Sequence, residues 1–180
     1  SYSKNSYSTH KWFSFTDLVN ESRDNKIKDY NYAKSITANC LKQSIERQSI
    51  SDVSLGVFLS GGIDSTLLSV LKSQISDKKI DTFTISFDEA NYNEASYAKK
   101  ISEYIGSNHT EILIKDKSVY EVIENLPLIY DEPFADSSQI PTTILCKSAK
   151  KYLSVCLTGD GGDEIFGGYN RYIWFNKIWK

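Results

Sequence analysis

From Tyr30 onward, two rhythms of apolar residues alternate along the chain. Tyr30, Ala33, Thr37, Cys40, Leu41 and Ile45 recur at helical spacing and predict an amphipathic helix over 30–48. Val53 to Leu59 is a short, mostly apolar run, as expected of a buried strand, and Ile63 to Ser76 returns to helical spacing. The alternation then repeats. Further strands are predicted at Ile80 to Phe87, His109 to Ile114 and Leu153 to Thr158. Helices are predicted at Asn93 to Ile105, Ser118 to Tyr130 and Ile140 to Lys151, the first ending at Gly106. Strands alternating with helices imply an α/β class, a doubly wound parallel sheet flanked by helices. Residues 1–29 differ, being polar and rich in Ser, Asn and Lys around the aromatic cluster Trp12, Phe13 and Phe15. They are expected to be a linker whose aromatics dock on a neighbouring surface, with one domain over 30–180.

Composition narrows the function classes. A chain of 180 residues with 40% hydrophobic and 24% charged residues can build one ordinary globular core. A net charge of −2 and scattered lysines offer no footprint for nucleic acid. No apolar run approaches the roughly 20 residues that span a bilayer. Cys40, Cys146 and Cys156 make no CxxC pair and are expected to be reduced, buried thiols of a cytoplasmic protein. Two histidines, His10 and His109, make a zinc site or a Ser-His-Asp triad a poor expectation. The chain contains no methionine, not even at position 1, so a processed product or a piece cut from something longer is expected.

The chemistry concentrates in two glycine segments. Ser60-Gly61-Gly62-Ile63-Asp64-Ser65-Thr66 falls between the first buried strand and its helix. Ligands of open α/β sheets bind at the carboxyl ends of strands. Glycines there let backbone N–H groups approach an anion, and the helix dipole adds positive potential. Ser60, Ser65 and Thr66 could donate to phosphate oxygens, and Asp64 could hold magnesium. The plainer alternative is a strand-to-helix turn that uses glycine for geometry. The loop lacks the Walker A lysine and is not GxGxxG. It resembles the pyrophosphate loop of the ATP pyrophosphatases, which cleave ATP between the α and β phosphates.

The second segment, Leu157-Thr158-Gly159-Asp160-Gly161-Gly162-Asp163-Glu164-Ile165-Phe166-Gly167-Gly168-Tyr169, follows the last predicted strand. So many glycines pack poorly but can wrap an anion, while the acids can hold cations. A flexible acidic turn is the bland alternative. The segment is similar to the asparagine synthetase pattern S-G-[DE]-G-x-D-E-[LIV]-F-G-G-Y. Asp131-Glu132-Pro133, Asp136-Ser137-Ser138 and Pro141 resemble that family's preceding loop, and Phe87-Asp88 and Glu94 fall near its closing edge.

The resemblance, which covers about residues 30–172, implies a PP-loop ATP pyrophosphatase fold using ATP and Mg²⁺. It implies that Ser60, Gly61, Gly62 and Ser65 cradle pyrophosphate, that the backbones of Phe58 and Ile85 bracket adenine, and that Thr158 and Gly159 contact the adenylate. Asp64 and Asp163 would bind magnesium. Asp160 would act on the ammonia-bearing intermediate, with Glu164 as a supporting acid. The implied reaction adenylates the side chain of aspartate for attack by glutamine-derived ammonia, giving asparagine and AMP. Family analogy also implies a homodimer. Three departures stand beside it. The chain begins Ser1-Tyr2-Ser3 rather than with the nucleophilic cysteine of a glutaminase domain, which is expected to be absent here. Lys177 and Lys180 come too early for the family's later lysine, so the domain is expected to be truncated and its turnover as a piece stays open. Thr158 and Asp160 stand where many members have Ser and Glu. Two other readings remain open at this point: amidation of another carboxylate, such as a sugar acid of a surface polysaccharide, and a non-catalytic nucleotide-binding module.

Overall fold

A computed structural model describes residues 2–3, 6–87, 94–133 and 135–179. Asp88, Asn93 and Lys180, named above, lie outside the described residues. The chain divides into two compact units, Ser1–Leu41 and Lys42–Lys180.

The first unit pairs β1 (Tyr2–Ser3) with β2 (Ser6–Tyr7) in an antiparallel ladder and continues into α1 (Phe15–Asp24). Ser14 caps α1, its hydroxyl accepting from the Asp17 amide at 3.4 Å. The next helix, α2 (Tyr30–Gln48), spans the boundary between the units and has the predicted bounds.

The second unit contains the sheet. Its strands are β3 (Leu55–Phe58), β4 (Asp81–Phe87), β5 (Asn108–Ile114) and β6 (Val155–Leu157). The helices are α3 (Ile63–Ile75), α4 (Ala95–Ile105), α5 (Asp116–Ile129), α6 (Gln139–Ala149), α7 (Gly162–Phe166) and α8 (Asn170–Ile178). Strand order is β5-β4-β3-β6 and every pairing is parallel. The chain winds outward from β3 through β4 to β5, then returns past β3 to add β6. The order therefore reverses between β3 and β6, which makes the sheet doubly wound.

Pleating sorts β4 into two faces. Phe83 packs with Ala149 and Leu153, and Ile85 and Phe87 join Ile114, Val122 and Ile144, so the face toward α5 and α6 is the apolar core. Pro127 sits near the end of α5, which stops two residues later. Gly106 ends α4 in a left-handed conformation, as its position predicts.

The opposite face of β4 presents Thr82, Thr84 and Ser86, all buried. Thr82 Oγ1 lies 2.8 Å from Ser107 Oγ and 2.9 Å from His109 Nδ1. The His109 Nε2 atom is buried without a partner among the described residues. Burial holds the His109 pKa below its ordinary value, with Glu111 opposing and Lys99 assisting that shift. Because the folded pKa is depressed, the unfolded chain binds more protons below about pH 6.5. The neutral imidazole's contribution to stability is thus complete above that pH and declines as acid is added. Urea denaturation should show a lower midpoint at pH 5 than at pH 7.5, and His109→Gln should flatten that difference.

Among the described residues, no helix is long and apolar enough to cross a membrane.

Candidate active site

The turn from β3 into α3 is held by its own hydrogen bonds. The Ser60 amide donates to Ser65 Oγ at 3.2 Å, and the two serine hydroxyls lie 2.9 Å apart. The Gly62 amide donates to Ser60 Oγ at 3.2 Å, while Ser65 Oγ and Thr66 Oγ1 donate to the Gly62 carbonyl at 3.2 and 2.6 Å. Thr66, expected to reach a phosphate, thus points its hydroxyl proton into the loop. What the loop can offer an anion is backbone, because the first-turn amides of a helix have no intrahelical acceptors. Gly61 has a φ of +86° and packs on the start of α4.

The second glycine segment folds against this loop. A Cβ placed on Gly159 would lie 3.0 Å from the Ser65 amide nitrogen and 3.2 Å from Asp64 Cβ. One placed on Gly162 would lie 2.5 Å from Asp64 Cγ. The two segments touch with no room for a side chain between them. Thr158 Oγ1 donates to Asp160 Oδ2 at 2.8 Å and accepts from the Asp160 amide at 3.3 Å, which fixes that carboxylate over the strand end.

Between the segments lies an open cleft of about 950 Å³ at the reversal of strand order, where open α/β sheets bind ligands. Its lining includes Phe58, Ser60, Gly62, Asp64, Ser65, Ile85, Thr158, Gly159, Asp160 and Asp163. Four carboxylates face it, those of Asp64, Glu94, Asp160 and Asp163, and no Lys, Arg or His side chain is among its described lining. No three His, Cys, Asp or Glu side chains converge into a complete metal cage among the described residues. The donor set nonetheless suits Mg²⁺, which takes one or two carboxylates and completes its shell with phosphate oxygens and water. Asp64 and Asp163 both line the cleft, and Gly162 brings the Asp64 carboxylate beside the segment that carries Asp163.

Besides Thr66, two expected site residues stand apart from the lining. Gly61 shapes the loop from behind. Glu164 is not among the cleft's described lining and is exposed, accepting from the Tyr169 hydroxyl at 2.7 Å. That hydrogen bond, helped by Arg171, keeps the Glu164 carboxyl below the ordinary carboxylate range. Conversely, α6 contributes Thr142, Leu145 and Cys146, which sequence reasoning did not place at the site. The expectation of buried thiols needs correction. Cys40 and Cys146 are exposed, and only Cys156 is half-buried, its thiol pushed up to about 11 mainly by burial. Cys146 is open because its helix passes the mouth of the cleft.

The fold and cleft together define a parallel α/β protein with a glycine-walled, carboxylate-lined crevice at its switch point. The chain belongs to the asparagine synthase family, whose model matches residues 37–179. A putative asparagine synthetase (glutamine-hydrolyzing) 2 of Methanocaldococcus jannaschii is 42% identical over 124 residues, covering 68% of this chain and 24% of that protein. Asparagine synthetase (glutamine-hydrolyzing) 1 of Bacillus subtilis is 34% identical over 122 residues, 68% of this chain and 19% of that protein. The chain thus spans about a quarter or less of the length of these relatives. An NH3-dependent NAD synthetase from Campylobacter jejuni superposes with a TM-score of 0.49 at 14% identity, covering 79% of this chain and 61% of that one.

Proposed function

We propose that the cleft binds ATP with Mg²⁺ and activates the side-chain carboxylate of aspartate for conversion to an amide. The observation that carries the proposal is the meeting of the two glycine segments, with Gly159 and Gly162 packed on Ser65 and Asp64 at the switch point. A carboxylate is a poor acyl donor because its oxygen is a poor leaving group. Attack of that oxygen on the α-phosphorus breaks the α–β bond, releases pyrophosphate and makes AMP the leaving group. Ammonia, supplied by glutamine hydrolysis in a partner domain, then attacks the acyl carbon, and AMP departs.

Each residue has a proposed part. Backbone amides of the Ser60–Ser65 loop hold the departing pyrophosphate, and Phe58 and Ile85 flank the base. Thr158 and Gly159 contact the adenylate. Asp160, steadied by Thr158, takes a proton from the attacking nitrogen. Asp64 and Asp163 would hold Mg²⁺, which neutralises pyrophosphate charge when bound. With four carboxylates and no basic side chain among its described lining, the cleft disfavours metal-free ATP and favours an acid that carries its own ammonium group. Aspartate carries one and a uronic acid does not.

Isotope exchange of pyrophosphate into ATP with Mg²⁺ tests this assignment. Aspartate should drive exchange and glucuronate should not. Exchange driven by glucuronate would sink the aspartate reading, and MgATP binding without exchange for any acid would leave a nucleotide-binding module. Cys146 gives an independent check. N-ethylmaleimide should label Cys40 and Cys146, whereas MgATP at ten times its Kd should slow labelling at Cys146 roughly tenfold and leave Cys40 unchanged. Peptide mass spectrometry reads both sites.

A further inference from the structure

The residues after Asp163 carry an assembly that lies outside the cleft. Tyr169 donates its hydroxyl to Glu164 Oε1 at 2.7 Å. The Arg171 guanidinium carbon sits 3.8 Å from the centroid of the Tyr169 ring and 5.8 Å from that of Tyr172. The two tyrosine rings are 5.7 Å apart. A guanidinium over a phenol face is attracted by the ring quadrupole and holds the ring in place.

This assembly closes a turn that would otherwise be weak. The helix α7 has five residues, too few to be stable alone. Its end is the Gly167-Gly168 pair, where Gly167 has a φ of +69° and the Gly168 amide donates to the Asp163 carbonyl at 3.0 Å. Gly168 also lies directly against the Asp163 carboxylate, where a Cβ would collide with Oδ1. The turn is therefore the back wall of Asp163, and the Tyr169–Glu164 hydrogen bond staples it to the helix that carries that residue.

We infer that Glu164, Tyr169 and Arg171 form a clasp that aims the Asp163 carboxylate into the cleft. All three are positioning residues acting through Asp163, and Glu164 does not itself touch substrate. The inference rests on the proposed reading of the cleft as a MgATP site, and it reassigns Glu164 from the acid role that the family pattern implies.

The test compares the wild-type chain with Tyr169→Phe, Glu164→Ala and the double variant. Phenylalanine keeps the ring for Arg171 and removes only the hydroxyl. Alanine removes the acceptor from an exposed helical position without lowering helix propensity. Two measurements are made: amide hydrogen exchange at Gly167 and Gly168 in the free protein, and the Mg²⁺ concentration that half-saturates ATP binding. Both single variants should speed exchange about tenfold. Both should raise the half-saturating Mg²⁺ concentration several-fold, about threefold or more, and the double variant should add little to either single one.

Unchanged exchange overturns the clasp. So does faster exchange with an unchanged Mg²⁺ requirement, which would make the assembly merely structural. An effect of Glu164→Ala without any effect of Tyr169→Phe would return Glu164 to direct contact with substrate. If the wild-type chain binds no ATP at any Mg²⁺ concentration, the cleft reading fails instead, and the exchange rates still decide whether the staple exists.

Discussion

Gly61→Ala should lower the melting temperature by about 4–20 °C, while Gly106→Ala should lower it by only about 2–8 °C. Both glycines have positive φ, +86° and +67°. An L-residue in that region costs about 1–2 kcal/mol, and that term is common to both. The difference is space. A Cβ at Gly106 meets nothing within 4 Å. At Gly61 it would lie 3.0 Å from Tyr97 Cβ, 3.2 Å from the Ala98 amide nitrogen and 3.2 Å from the Glu94 carbonyl oxygen. Two of those atoms are backbone at the start of α4, which cannot yield without moving the helix. Such overpacking adds about 1–3 kcal/mol. The Gly61 variant should also lose ATP affinity at least about tenfold, because the amides it displaces are the proposed anion site. Thermal melts by circular dichroism and calorimetric titration with MgATP check both statements. Equal melting losses for the two variants would mean that the loop does not rest on α4.

Asp64→Asn should reduce aspartate-dependent pyrophosphate exchange by about 100-fold or more, while the melting temperature moves by less than about 3 °C. Asparagine has nearly the shape of aspartate, so the close contact with Gly162 survives and the two glycine segments stay together. What disappears is a negative charge beside the departing pyrophosphate and one of the two proposed ligands for Mg²⁺. Gly162→Ala is the complementary change: it retains the charge and pushes the carboxylate away. If charge governs, Asp64→Asn is the more damaging for exchange and Gly162→Ala the more damaging for stability. Exchange that survives Asp64→Asn would remove this residue from the magnesium site.

Most of the sheet could be read from the chain, because each strand is a short apolar run next to a helical pattern. Strand β4 differs from expectation by one residue at its start, and β3 begins at Leu55 rather than Val53, which is exposed. The omissions have physical causes. The cap Ser14-Phe15-Thr16-Asp17 signals α1, but the helix is short, mostly polar and buries no side chain, so apolar periodicity does not mark it. Glycine density concealed α7, since helix propensity there is low and close packing of Gly162 on Asp64 and of Gly168 on Asp163 supplies the order. Strand order decides which helices border the cleft, and periodicity carries no strand order, so Thr142 and Cys146 could not be placed.

Glu164 shows the limit most directly. It is adjacent to Asp163 and equally acidic, but consecutive helical residues point about 100° apart. A motif written as letters cannot say which of two neighbouring acids faces inward. The geometry turns Asp163 to the cleft and Glu164 to Tyr169.

The strand order has a kinetic consequence. Pairing β3 with β4 joins Gly56 to Asp81, and pairing β4 with β5 joins Asp81 to Asn108. Each closes a loop of about 25 residues. Pairing β3 with β6 joins Gly56 to Cys156 and closes about 100, at an extra entropic cost near 1.2 kcal/mol. The outward half of the sheet can therefore assemble early from local contacts, and the strand that carries Thr158 to Asp163 docks late. The crevice comes into being at that final step. A ligand seated in it bridges the early and late halves of the folding sequence, and so should slow unfolding far more than it speeds folding.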